Sequence, residues 1–287
     1  MRVERTKSAL RAALAEARSG GQTIGLVPTM GYLHEGHLSL IRAAAADCDL
    51  VVVSLFVNPA QFGPGEDYER YPRDEARDEG LAEQAGAGLL YAPAVEEVYP
   101  EGFATSVNVA GLTDVLCGDP SRRGSAHFSG VSTVVAKLLN SVDPDIAYFG
   151  QKDAQQAAVI RRMAADLDFG AKIEILPTMR EADGLAMSSR NAYLDEEQRL
   201  RAAAISRALG AAADAAAAGS RTDAALAVAR ELLAEAGIEP EYLEARDAAD
   251  LEDVDIFNGR PILLAVAAQL GNARLIDNVV VNPQQSE

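Results

Sequence analysis

An α/β architecture, a parallel sheet followed by a smaller α+β body, is predicted by three observations. Short apolar runs alternate with helix-like segments from Lys7 to Leu176, the sharpest polar motifs fall just after such runs, and the texture changes beyond Pro177. The first helix-like segment is Lys7 to Arg18. The run Thr23 to Val27 forms a buried strand that Pro28 and Gly31 break, and Leu38, Ile41 and Ala45 then recur at helical spacing. A β-branched run, Leu50 to Val57, ends at Asn58-Pro59.

A helix near Asp74 to Gln84, a short strand Leu89 to Tyr91, a helix Ser132 to Asn140 and a strand Ile146 to Phe149 continue the alternation. A helix Ala154 to Asp168 and a strand Lys172 to Leu176 complete it. This order predicts a Rossmann-like parallel sheet with helices on both faces. After Pro177, polar Arg180-Glu181-Ala182-Asp183-Gly184 leads into Met187-Ser188-Ser189-Arg190-Asn191 and two alanine-rich helices running to about Gly237. Runs Glu241 to Ala245, Ile262 to Ala267 and Arg274 to Val281 read as a small sheet. The expected domains are therefore 1–177 and 178–287.

Composition narrows the function classes. The 287 residues are 48% hydrophobic, and 43 acidic against 26 basic side chains give a net charge of −17, which repels nucleic acid. Arg122-Arg123 and Arg161-Arg162 are only short basic pairs. Cys48 and Cys117 make no disulfide framework, and Met1-Arg2-Val3-Glu4-Arg5 lacks the apolar core of a signal peptide, so a cytoplasmic protein is expected. No run of eighteen apolar residues predicts a membrane span; the alanine-rich segment Arg201 to Ala218 is broken by Arg207, Gly210 and Asp214.

Two of the three histidines lie in Met30-Gly31-Tyr32-Leu33-His34-Glu35-Gly36-His37, where a strand gives way to a helix. Amide N–H groups at a helix start have no intrahelical partner and face the positive end of the dipole, so imidazoles beside them suit a polyphosphate. A nucleoside triphosphate is the expected guest. A GxGxxG fingerprint is missing, which favours ATP over a dinucleotide. No third histidine or nearby cysteine stands at ligand spacing, so zinc is disfavoured. Asn58 and Gln61 follow the second strand, and Gly150-Gln151-Lys152-Asp153 follows the strand Ile146 to Phe149. Both are strand ends, where ligands bind in such sheets. Lys152 suits phosphates, although a solvated lysine beside a capping Asp153 explains the same residues. Ser188, Ser189 and Arg190 suit the charge of adenylyl transfer, although a polar interdomain loop does as well. Asn58, Gln61 and Gln156 are neutral amides fitted to a small organic acid or to backbone capping.

Taken together, Pro28 to His37, Phe56-Val57-Asn58-Pro59, Gln61-Phe62, Tyr71-Pro72-Arg73, Phe149-Gly150, Lys152-Asp153, Gln155-Gln156 and Met187 to Asn191 closely resemble the pantothenate synthetase family. Tyr242-Leu243-Glu244 and Arg274 to Asn278 extend the likeness almost to the end of the chain. The HxGH turn alone would indicate only the wider nucleotidylyltransferase superfamily. The resemblance implies ATP-dependent ligation of (R)-pantoate to β-alanine through a pantoyl adenylate, with Mg²⁺ accompanying ATP and a homodimeric enzyme. It implies that Met30, Gly31, Tyr32, Leu33, His34, Glu35, Gly36 and His37 line the ATP site. Gly150, Gln151, Lys152, Asp153, Met179, Met187, Ser188, Ser189 and Arg190 belong to the same lining. Within it, His37 is the candidate proton donor, and His34, Lys152 and Ser188-Ser189-Arg190 handle phosphoryl charge. Gln61 and Gln156, with Asn58, are implied to hold pantoate, and Asp78 to stand near the metal. Closure of the smaller domain would shield the adenylate from water.

The chain departs from the family at Gln151 and Ala154, where an acid and an aromatic ring are common, and at Ala60, where methionine is common. The larger departure is the loop Gly118 to His127, where the family usually has a shorter loop ending Arg-Pro-x-His-Phe; His127 and Phe128 match, but the sequence does not assign the displaced arginine's role to Arg122 or Arg123. The competing readings are another HxGH nucleotidylyltransferase and a nucleotide-binding protein without turnover. A class I tRNA synthetase fits poorly, because the chain is short, acidic and lacks a lysine-rich KMSKS-type loop.

Overall fold

The first sheet begins one strand earlier than the hydrophobic pattern suggests: Arg2–Glu4 (β1) pairs with Leu89–Tyr91 (β4). Three residues are too few to show a period. A computed structural model describes residues 1–218, 221–256 and 259–282; the expected 178–287 body runs beyond them. Ile24–Thr29 (β2), Leu50–Leu55 (β3), Ile146–Gly150 (β5) and Lys172–Leu176 (β6) complete an all-parallel sheet in the order β1-β4-β3-β2-β5-β6. β2 pairs with β3 from Ile24 opposite Leu50 to Thr29 opposite Leu55, and with β5 at Gly25 and Leu26. The chain winds outward from β2 through β3 and β4, then returns to β5 on the other flank. Winding therefore reverses between β2 and β5, and the crevice beyond their carboxyl ends is where such folds bind ligands.

β2 and β3 are buried on both faces, with Ile24, Leu26, Val27, Val52 and Val53 fully inaccessible, as central parallel strands require. Helices Lys7–Ser19 (α1), Glu35–Asp47 (α2), Glu75–Ala85 (α3), the single turn Val95–Val98 (α4), Ser125–Val142 (α5) and Ala154–Asp166 (α6) connect the strands. Leu40, Ile41 and Ala44 of α2 pack with Val51 and Val53 of β3, Leu90 of β4 and Ala82 of α3. α5 starts seven residues before the predicted Ser132, because Gly124, at φ +83, turns the variant loop directly into it.

Glu196–Ala217 (α7) and Thr222–Glu235 (α8) cover a three-stranded antiparallel sheet, Pro240–Asp247 (β7), Ile262–Leu270 (β8) and Ala273–Val281 (β9). Asp195 and Gln198 form the capping box that starts α7. Ile262, Leu264, Val266 and Ala268 alternate along β8 on the face that packs with Ala202, Ile205 and Leu209 of α7 and with Ala229 and Leu233 of α8. Among the described residues no helix is long and apolar enough to cross a membrane.

The chain divides into two compact units. The first holds Met1–Asp114, Gly118–Gly150 and Val159–Pro177; the second holds Val115–Cys117, Gln151–Ala158 and the chain from Thr178 onward. In the first unit, α5 lies against the 3-10 turn Pro59–Gln61 so closely that a Cβ at Gly130 would sit 2.2 Å from the carbonyl oxygen of Ala60 and 2.7 Å from the amide of Gln61. Gly130→Ala is therefore expected to push the turn off α5 and lower stability by about 1–3 kcal/mol, the cost of overpacking. Chemical denaturation checks it.

Candidate active site

The turn after β2 is held together by its own histidines. His34 caps α2: its Nδ1 accepts from the amide of Gly36 at 3.2 Å, while Nδ1 of His37 accepts from the amide of His34 at 3.3 Å. A neutral imidazole accepting at Nδ1 carries its proton on Nε2. The two rings, 4.1 Å apart between centroids, thus share one tautomer. Free first-turn amides are expected from the sequence at this helix start, and here the structure differs. The amides of Gly31, Tyr32, Leu33, His34, Gly36 and His37 all have protein acceptors.

Asp78 of α3, 1% exposed, lies under this turn. Its two carboxylate oxygens accept from the amides of Tyr32 at 2.6 Å and Leu33 at 2.7 Å. Arg77 donates to the Leu33 carbonyl at 3.0 Å and stacks over the Tyr32 ring. Burial pushes the Asp78 carboxyl above the ordinary carboxylate range, against the opposing pull of the Leu33 and Tyr32 amides and Arg77. The turn needs Gly31 on two counts. Its φ is +85, and a Cβ there would stand 2.7 Å from Leu55 and 2.9 Å from Asp78 Oδ2. Asp78 is expected near a metal; the structure instead spends its two oxygens on amides and buries them. Among the described residues no group of three or more His, Cys, Asp or Glu side chains could hold a metal ion.

Beyond β3, Asn58 is 1% exposed and its amide is fully used. Nδ2 donates to Gln61 Oε1 and to the Gly130 carbonyl, both at 3.1 Å, and Oδ1 accepts from the Ala60 amide and from the Tyr99 hydroxyl at 2.8 Å. Burial raises the Tyr99 phenol to about 12, so it stays a donor. Asn58 is expected to hold substrate; with no donor or acceptor left over, it acts as a bracket for Gln61. Gln61 Nε2 lies 2.8 Å from Met30 Sδ, joining the two strand ends.

The altered loop reaches the same glutamine. His127 Nδ1 lies 2.7 Å from the Gln61 carbonyl, and Arg123 meets His127 Nε2 at 3.3 Å. Arg123 also makes a two-pronged pair with Glu66, at 2.7 and 2.5 Å. Burial alone would raise the Glu66 carboxyl, but hydrogen bonding and charge from Arg123 outweigh it and hold the group below its ordinary value. Of the two candidate arginines, Arg123 is joined to His127.

In the second unit, Gln151–Asp153 forms a 3-10 turn, and the α-helix starts at Ala154, as the sequence pattern predicts. The Lys152 side chain is 20% exposed, with Nζ 3.7 Å from Asp153. Gln155 spends its amide on the backbone of Val115 and Cys117, at 2.6 and 3.1 Å, whereas the neighbouring Gln156 is half-buried. Ser188 caps a second 3-10 turn, Ser189–Tyr193, accepting from the Arg190 amide at 3.2 Å. Met179 and Met187 pair across a short hairpin, Met187 donating its amide to the Met179 carbonyl at 2.9 Å.

Comparison with known proteins decides the family: the pantoate-beta-alanine ligase family matches residues 2–280. The chain belongs to that family. Its activity is that of a ligase of pantothenate biosynthesis, joining pantoate and β-alanine. Pantothenate synthetase of Moorella thermoacetica is 55% identical over 283 residues, covering 98% of this chain and 99% of the relative. The structure of pantothenate synthetase from Thermus thermophilus superposes with a TM-score of 0.91 at 48% identity, covering 99% of this chain and 100% of that one. Pantoate-beta-alanine ligase from Francisella tularensis, complexed with beta-gamma ATP and beta-alanine, gives 0.79 at 31% identity, covering 98% and 97%.

Two consequences are measurable. Asp78→Asn turns an NH₂ toward a donor amide and should cost about 1–3 kcal/mol of stability, equally with Mg²⁺ and with chelator. A loss seen in denaturation only when Mg²⁺ is present would make Asp78 a metal ligand. Arg123→Ala should raise the KM for pantoate about tenfold through loss of about 1.4 kcal/mol of positioning at Gln61, with kcat nearly unchanged. Steady-state kinetics at varied pantoate reads both constants.

Proposed function

We propose that the enzyme uses ATP to activate (R)-pantoate. A pantoate carboxylate oxygen bonds to the α-phosphorus of ATP as the bond to pyrophosphate breaks, giving pantoyl adenylate. The uncharged amine of β-alanine then attacks the acyl carbon, the bond to AMP breaks, the amine nitrogen loses a proton to solvent, and pantothenate and AMP leave. The observation that carries this reading is the histidine turn beside the β2–β5 reversal, where Nδ1 of His34 and Nδ1 of His37 each accept from a backbone amide. The nucleotide and β-alanine named for the Francisella tularensis structure support it.

On this reading His34 and His37 donate hydrogen bonds to ATP phosphates, His37 to the departing pyrophosphate. Met30 to His37 line the nucleotide, as do Gly150 to Asp153, Met179 and Met187. Lys152, with Ser188, Ser189 and Arg190, balances charge on the reacting phosphoryl group, and Gln61 and Gln156 hold pantoate. The work is positioning and electrostatics, with no covalent protein nucleophile. Mg²⁺ is expected with ATP, and both oxygens of Asp78 already accept from the Tyr32 and Leu33 amides. A division of labour between 1–177 and 178–287, a homodimer and a cytoplasmic location are part of the proposal, carried by the family resemblance.

The test is AMP formation from ATP, Mg²⁺ and (R)-pantoate, with and without β-alanine. Steady release that requires both organic substrates supports the ligase; turnover without pantoate would favour another nucleotidylyltransferase. Lys152→Ala should lower kcat about 10²–10³-fold, the cost of losing one transition-state charge partner. A small loss would remove Lys152 from that role.

A further inference from the structure

Asn278 of β9 is 5% exposed, and its side chain closes on the turn that carries Lys152. Nδ2 donates to the carbonyls of Gln151 and Lys152, both at 2.9 Å, and Oδ1 accepts from Gln151 Nε2 at 3.2 Å. A 3-10 turn of three residues makes few bonds of its own. This amide is what fixes its direction.

The preceding residue does the same for the other cationic segment. Asp277, 3% exposed, receives both prongs of Arg180 at 2.7 and 3.0 Å, and its Oδ1 accepts from the Asn278 amide at 2.7 Å. Arg180 also donates to the Gly184 carbonyl at 3.0 Å and pairs with Ala186 across the hairpin. That hairpin runs directly into Ser188. Its Glu181 accepts from Asn191 at 2.8 Å, and Asn191 donates to the Ala186 carbonyl at 3.1 Å, so hairpin and 3-10 turn are tied as one piece. Neighbouring residues of one strand thus hold Lys152 on one side and Ser188–Arg190 on the other.

We infer that Asp277 and Asn278 are positioning residues that set the spacing between Lys152 and the Ser188–Arg190 turn. The inference rests on the phosphoryl-charge role proposed for those groups. Both side chains are nearly excluded from solvent, and their bonding capacity is directed at backbone, at Gln151 or at Arg180, so they act through the groups they hold. A bidentate arginine–carboxylate pair and an amide with three bonds are stiff fixtures, and displacement of a catalytic group by about 1 Å can cost about a hundredfold in rate.

A double-mutant cycle on pyrophosphate exchange, with pantoate and ATP varied, tests it. Asn278→Ala is expected to lower kcat about a hundredfold, with KM for pantoate within about twofold. In a Lys152→Ala background the same change should add almost nothing, because the group it positions is gone. Full additivity of the two losses would overturn the inference while leaving the Lys152 role intact. A negligible effect of Lys152→Ala alone would instead retire that role, a distinguishable failure. If Asn278→Ala does not fold, Arg180→Gln is run against Arg190→Ala: non-additive losses support the strut, and additive ones overturn it.

Discussion

A buried carboxylate gripping two successive amides underlies the first half of the site. Without Asp78, the chain leaving β2 at Thr29 would have to present the Tyr32 and Leu33 N–H groups to an apolar surround, where each unpaired donor costs about 1–3 kcal/mol. The carboxylate satisfies both at once, and the space it takes forbids a side chain at Gly31. Arg77 balances its charge and covers Tyr32. Once the turn is locked in this way, α2 must start at Glu35, and His34 becomes its cap.

The same economy recurs around Gln61. Polar groups near it are arranged in pairs that exhaust one another: Asn58 with Tyr99 and Gly130, Arg123 with Glu66 and His127. A fully satisfied network has few alternative arrangements, since each rearrangement would strand a buried polar atom. Gln61 is consequently held from its side chain by Asn58 and from its carbonyl by His127. Arg123 reaches Glu66 and the Gln61 carbonyl, residues 57 and 62 positions away.

That separation explains what sequence reveals and conceals here. β2, β3, β5 and β6 are apolar runs closed by Pro, Asn or Gly, and α7 opens with a capping box; such signals are local and therefore legible. β1 is three residues long, and the start of α5 hides behind a loop with no period. The histidine pair announces a helix start, yet nothing in its spacing says that both Nδ1 atoms serve the backbone. Asp78 looks like any acid of a solvated helix among Asp74, Glu75 and Glu79, because its partners lie 46 and 45 residues away. Asn58 reads as a ligand amide until its four bonds are seen. The tail motif Arg274 to Asn278 matches the family without any role attached, and its bonds to Gln151 and Lys152 span 127 and 126 residues.

That last span has a biosynthetic meaning. Domains fold in the order in which they emerge from the ribosome, at about 5–20 residues per second. The parallel sheet is complete in sequence at Leu176, and the histidine turn with its Asp78 clamp is available by then. The Lys152 turn is not, for Asn278 sits on the last described strand. A nascent chain therefore carries a formed histidine turn and an unformed lysine turn through the later part of its synthesis, and the fixture that orients Lys152 arrives only with β9.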